Sequence, residues 1–282
     1  MLDVYTDLTS LAGVFGSHFE LIEIGVLKRY RDQLSREEIE RKLAQFQKEF
    51  LVSAECAAGE FERAARTSCA LDRLVEEKSL GALAYYYEGV PGSESEDIVT
   101  SLIAGNTLLT AHHVPAAGEC EVKNALAMKI LDCFGAGGSF SEMYAIDFPD
   151  DVVLWGHDGP AHPGIAEGGV GLVPLPVYHG KPGKGLSIQM SVKNGPVTLL
   201  SVVQGRGGKT LLLVAEGQSV PGPTLQIGNT NSRYRFPLYA REFTEAWAKA
   251  GPAHHCAIGV GHLADRLEKL ARLLGVECRR IC

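Results

Sequence analysis

The sequence is poorest in the features that would assign it to a membrane or to nucleic acid. It contains no run of roughly 18 or more apolar residues, so no membrane-crossing helix is expected. Net charge is −7 and no segment is densely basic, which sets nucleic acid aside as a partner. The opening stretch MLDVYTDLTSLAGVFG carries Asp3 and Asp7 where a secretory signal would need a basic start, so none is read there. Cys-x-x-Cys is also missing. Cys56, Cys69, Cys120, Cys133, Cys256, Cys278 and Cys282 are scattered and odd in number, which argues against a disulfide framework and against a structural zinc site. A reducing, cytoplasmic setting is the expectation.

Nucleotide-binding loops are absent as well. GAGGS at 135–139 follows a helix and lacks the Lys-Ser/Thr ending of a phosphate loop, and no Gly-x-Gly-x-x-Gly follows a first strand. A hinge between domains is the expected role of GAGGS.

What is present is a globular balance: 45% hydrophobic and 22% charged residues over 282 positions, enough for a sizeable core without covalent staples. The first half reads as alternating α and β. Residues 18–26 look like a strand, and Ser35 with Glu38 forms a capping box for a helix carrying Ile39, Leu43, Phe46 and Phe50 on one face. Further helices are expected near 60–78, 98–109 and 121–134, with a short strand at 82–87. After residue 135 the texture changes to short apolar runs between Gly, Pro and Asn turns, including VVLWGH, GLSIQMSV, VTLLSVVQG and TLLLVAEG. These predict an antiparallel sheet or barrel, closed by helices near 241–250 and 262–274 and a short strand at 276–281. The division is therefore 1–134, an α/β domain, and 135–282, a mainly-β domain with flanking helices.

Four places put titratable residues into tight, small-residue surroundings: Ala-Gly-Glu119-Cys, Gly-Ser-Phe-Ser-Glu142, Trp-Gly-His157-Asp158-Gly and Pro-Ala-His254-His255-Cys. Carboxylates and imidazoles beside apolar segments need partners, and one shared cation would satisfy them together. Such an oxygen–nitrogen set suits Mn²⁺, Co²⁺ or Mg²⁺. On the residues alone, Glu119 reads equally as a helix N-terminal carboxylate and His157 as a core or loop histidine at a strand end. His112 and His113 are as tempting on composition.

The ordered set of motifs is more specific. AAGECEVKNALAMKILD, then GAGGSFSEMYAIDF with its Gly-Gly-Ser-Phe-x-Glu, then DVVLWGHDGPAHP, then AGPAHHCAIGVGH resemble the L-arabinose isomerase family across residues 110–265. The resemblance implies that Glu119, Glu142, His157 and His255 hold a divalent metal, Mn²⁺ or another such as Co²⁺ or Mg²⁺. It also implies that Glu119 and Glu142 form the acid–base pair of an aldose–ketose isomerisation through a cis-enediol, and that His254 faces the substrate. His112 and His113 fall outside the family pattern and are assigned a structural role. Asp158 and His162 depart from it and are read as marks of a different sugar preference. Asn229 and Arg233, between strands in GNTNSRYRF, are further candidates for sugar hydroxyls, while the lysines of HGKPGKG read as a solvated turn.

The same resemblance implies a subunit of three parts: an N-terminal domain, a central Rossmann-like α/β domain and a C-terminal β-barrel-like domain. This chain is expected to begin at the central one, with 1–134 its Rossmann-like part. A homo-oligomer acting on a small sugar is expected, with L-arabinose or a relative as substrate. The alternative is a non-catalytic sugar- or metal-binding module.

Overall fold

The computed structural model describes residues 4–175, 177–178, 181–223, 225 and 230–282. In the first half, helices α1 (Leu8–Phe15), α2 (Ile24–Asp32), α3 (Arg36–Glu49), α4 (Ala58–Lys78), α5 (Glu94–Val99), α6 (Ile103–Ala111) and α7 (Val122–Cys133) are joined by three two-residue strands. These are β1 (Leu51–Val52), β2 (Leu83–Ala84) and β3 (Ala116–Ala117). The second half supplies β4 (Gly137–Asp147), β5 (Val152–His157), β6 (Gly171–Pro174), β7 (Val177–Tyr178), β8 (Lys181–Pro182), β9 (Leu186–Gln189), β10 (Gly195–Gln204), β11 (Thr210–Val220) and β12 (Thr230–Arg235). It ends with α8 (Ala240–Ala250), β13 (His255–Val260), α9 (Ala264–Leu274) and β14 (Glu277–Arg280). Among the described residues, no helix is long and apolar enough to cross a membrane.

The main sheet has seven strands in the order β10-β13-β4-β5-β12-β11-β14, and β10 also pairs with β11. Six strands thus form a ring of antiparallel pairings, while β14 adds to β11 in parallel. Both faces of the ring are buried, with the two-residue period of a strand. On β10, Val197 and Leu199 enter one core cluster with Trp155, Tyr234 and Phe46. Leu200 and Val202 enter another, with Met128, Phe140 and Leu267 beneath α7 and α9. The first cluster runs from Phe46 and Phe50 of α3 to Trp247 of α8, so one apolar core joins the two halves of the chain.

Helix α3 forms where the capping box predicts it. Ser35 accepts from the Glu38 N–H, and Glu38 accepts from the Ser35 N–H. Elsewhere in the first half the structure corrects the reading. A Rossmann-like parallel sheet is not built among the described residues: the only parallel pairs there are β1 with β6 and β2 with β3. Residues 18–26 are not a strand, because the apolar positions continue into Leu27 and Tyr30 at helical spacing, which with Arg31 make the buried face of α2. The single helix expected over 98–109 is two, α5 and α6, broken at Thr100–Leu102. GAGGS is not loop throughout, since its last three residues, 137–139, already belong to β4. A Cβ on Gly138 would lie 2.5 Å from the Met128 carbonyl oxygen, so the glycine is there to let β4 pass close under α7.

Candidate metal centre

Three neighbouring strands and one turn bring the titratable residues together. Glu142 on β4 lies opposite His255, the first residue of β13, and opposite Gly156, the residue before His157 at the end of β5. Gly156 is required by contact as well, since a Cβ there would fall 2.0 Å from the Thr230 carbonyl oxygen on β12. Glu119 arrives from the turn between β3 and α7, where it and Cys120 both adopt left-handed backbone, φ 56° and 54°. Such conformations are costly for residues with side chains and recur at functional sites. They are held here by the Cys120 N–H on the Tyr85 carbonyl (2.8 Å) and the Glu121 N–H on the Gly118 carbonyl (3.0 Å).

The turn aims the Glu119 carboxylate inward. Its Oε1 stands 3.9 Å from Nε2 of His157 and 3.9 Å from Nε2 of His255. The two imidazole rings are 5.2 Å apart, and Phe140 lies 4.4 and 4.3 Å from them. Glu142 meets His254 instead, Oε2 to Nε2 at 2.7 Å. Among the described residues, potential ligands therefore fall into two groups sharing His255: Glu119, His157 and His255, all buried, and Glu142, His254 and His255.

The donor atoms fit a hard or borderline cation. Glu119 Oε2 and His255 Nε2 are buried with no hydrogen-bond partner among the described residues. An unmatched buried acceptor is costly, and two converging on one space are what a cation relieves. On the other side of its ring, His255 Nδ1 lies 3.1 Å from Glu121, a carboxylate with no exposed surface. An Nδ1–H donated to that carboxylate leaves the Nε2 lone pair facing Glu119. Glu121 carries no signal in the sequence beyond the start of a helix. Tyr85 carries none beyond a strand-like aromatic run; its hydroxyl is held far above its ordinary range by burial, with the Asp158 and Glu119 charges adding to it.

The family pattern described as L-arabinose isomerase C-terminal domain matches residues 137–277, half of the chain. The chain belongs to that family. It is 27% identical over 169 residues to an L-arabinose isomerase of a Nocardioides species, covering 57% of this chain and 33% of that protein. To an L-arabinose isomerase of Shouchella clausii it is 22% identical over 263 residues, covering 90% of this chain and 52% of that protein. The chain thus spans between a third and about half the length of these relatives. Glu142, His157, His254 and His255 fall inside the family match, and Glu119 and Glu121 lie just ahead of it.

The remaining candidates scatter. Arg233 lies on β12 opposite Leu154, and its guanidinium pairs with Asp150 and approaches Asp147 at 3.9 Å, so it is committed away from the histidines. Asn229 lies outside the described residues. His113, just past α6, places its Nδ1 2.7 Å from Asp132 on α7, a structural role. His162 accepts the Gly164 N–H through Nδ1, and burial pushes its imidazole below the ordinary value.

Proposed function

We propose that this chain is a divalent-metal-dependent aldose–ketose isomerase acting on L-arabinose or a related sugar through a cis-enediol. The observation that carries the reading is the convergence of Glu119 and His255, each with an unmatched buried acceptor atom, beside a second carboxylate, Glu142, in contact with His254. Glu119, Glu142, His157 and His255 would hold the ion, with Mn²⁺, Co²⁺ or Mg²⁺ suited to the set. When bound, the ion supplies positive charge that polarises the sugar carbonyl and offsets the charge of the enediolate. Moving the carbon-bound proton between C1 and C2 needs a carboxylate, and moving the hydroxyl proton between O1 and O2 needs a second acid–base group. Glu119 and Glu142 would take these tasks, with His254, in contact with Glu142, orienting it and facing the sugar. Fully buried Phe140, its ring tilted against both imidazoles, keeps water from their apolar side. The ring of six strand pairings supports reading the sheet as barrel-like.

A second reading, a non-catalytic sugar- or metal-binding module, is favoured by one fact: the chain spans only 33% and 52% of the two relatives. Incubating the Mn²⁺-loaded chain with L-arabinose, D-galactose and L-fucose, with and without EDTA, separates the two. Ketose formed only in the presence of metal supports the enzyme, and the Glu119→Gln and Glu142→Gln variants should then form none while remaining folded. No ketose from a folded chain that retains its metal would establish the binding module.

A further inference from the structure

The two buried imidazoles present the same atom to Glu119 but are held differently from behind. His255 has a carboxylate, Glu121, at its Nδ1 (3.1 Å), and nothing among the described residues bonds its Nε2. At His157 two groups compete for Nδ1. The Gly159 N–H donates to it at 3.0 Å, and the Asp158 carboxylate stands 3.2 Å away.

These two partners select opposite tautomers. A neutral imidazole that accepts through Nδ1 carries its proton on Nε2. With the Gly159 N–H in place, that proton points toward Glu119 and blocks the lone pair a cation would use. An imidazole that donates through Nδ1 to Asp158 has the Nε2 lone pair open. Passing from one form to the other takes one proton off Nε2 and puts one on Nδ1, so the ring stays neutral.

We propose that Asp158 is a positioning residue for His157, accepting the Nδ1 proton when Nε2 takes up a divalent cation and so setting how tightly the centre loads. The proposal rests on the metal-centre reading above. The Asp158 side chain is only 22% exposed and lies against the buried His157 ring. His255 is then the ligand fixed in advance by Glu121, and His157 the one recruited on loading.

Two measurements on the full chain test this. Mn²⁺ binding, followed by the electron paramagnetic signal of the free ion, should weaken about 10- to 100-fold in Asp158→Ala, the usual effect of losing a carboxylate behind a metal-bound histidine. Asp158→Asn keeps an acceptor oxygen in place and should recover most of that loss. Nitrogen-15 NMR of the histidine rings, with Zn²⁺ as the diamagnetic probe, should find His157 protonated at Nε2 without metal and at Nδ1 with it. This second measurement needs no variant and would not respond to a merely packing role for Asp158. Wild-type affinity in folded Asp158→Ala, or Nδ1 protonated in the metal-free protein, would overturn the role of Asp158 and leave the metal centre standing. Failure of the wild-type chain to bind Mn²⁺ or Zn²⁺ would overturn both.

Discussion

Behind the Nδ1 of His255, Glu121 is in turn only 3.5 Å from the Nζ of Lys123, itself 4% exposed and bonded to the Tyr5 carbonyl at 3.0 Å. A buried carboxylate between an imidazole and an ammonium is held in place by both. Glu121→Gln removes the charge that anchors the Nδ1 proton, so Mn²⁺ affinity should fall about tenfold or more. Calorimetric titration with Mn²⁺ measures it, and an unchanged affinity would remove Glu121 from the centre. Glu119, Glu142, His157 and His255 were legible in the sequence because four motifs in order resemble a family. Composition alone leaves Glu119 indistinguishable from an ordinary carboxylate at a helix start. Glu121 was hidden for that same reason: acidic residues at the head of a helix are expected whatever else they do.

Helix α3 and strand β4 show which elements can be read locally. The Ser35–Glu38 box is a short-range signal, and its energetics follow from it. Hydrogen bonds from the Ser35 backbone first, and from Arg73, hold the Glu38 carboxyl at about 2, below the ordinary 4.5. A depressed carboxylate stabilises the fold above its unfolded value, and that contribution is lost as pH falls from about 4.5 through about 2. Ser35→Ala removes the hydroxyl that accepts the Glu38 N–H and should cost about 1 kcal/mol in urea unfolding at neutral pH. Glu38→Gln, which removes the titrating carboxyl, should lose less stability on acidification than the parent chain; an identical acid profile would contradict the box. β4 is the opposite case. Nothing local says that Gly138 touches the carbonyl of Met128, ten residues away and on another element. Gly138→Ala should destabilise the fold by roughly 2 kcal/mol or more, since a Cβ there overpacks against backbone that has nowhere to go. A variant as stable as the parent would show that α7 can retreat. The two-residue strands β1 and β3 were likewise illegible, because their pairing is decided by distant partners, whereas β2 falls within the strand expected at 82–87.

At the scale of the molecule, the core running from Phe46 to Trp247 means that metal, once bound, stabilises everything packed on it. Mn²⁺ at about 100 times its Kd should add about 2.7 kcal/mol. For a chain of this size that is an upward Tm shift of about 5 °C. EDTA should reverse the shift and Glu119→Gln abolish it in a thermal melt; a Tm indifferent to Mn²⁺ would argue against a centre built into the fold. The broad plan of helices first and strands afterwards was visible from the change in texture near residue 135. That the helical half would contribute a ligand to the strand half's centre could not be seen from either alone.

That shared centre has a practical consequence. A cut in the exposed turn at Gly135 would leave Glu119 and Glu121 on one piece and Glu142, His157 and His255 on the other. Neither piece would then own a complete set of donors. Two co-expressed fragments would be held by the apolar core they share, and uptake of Mn²⁺ only after they had rejoined would make the cation a reporter of their reassembly.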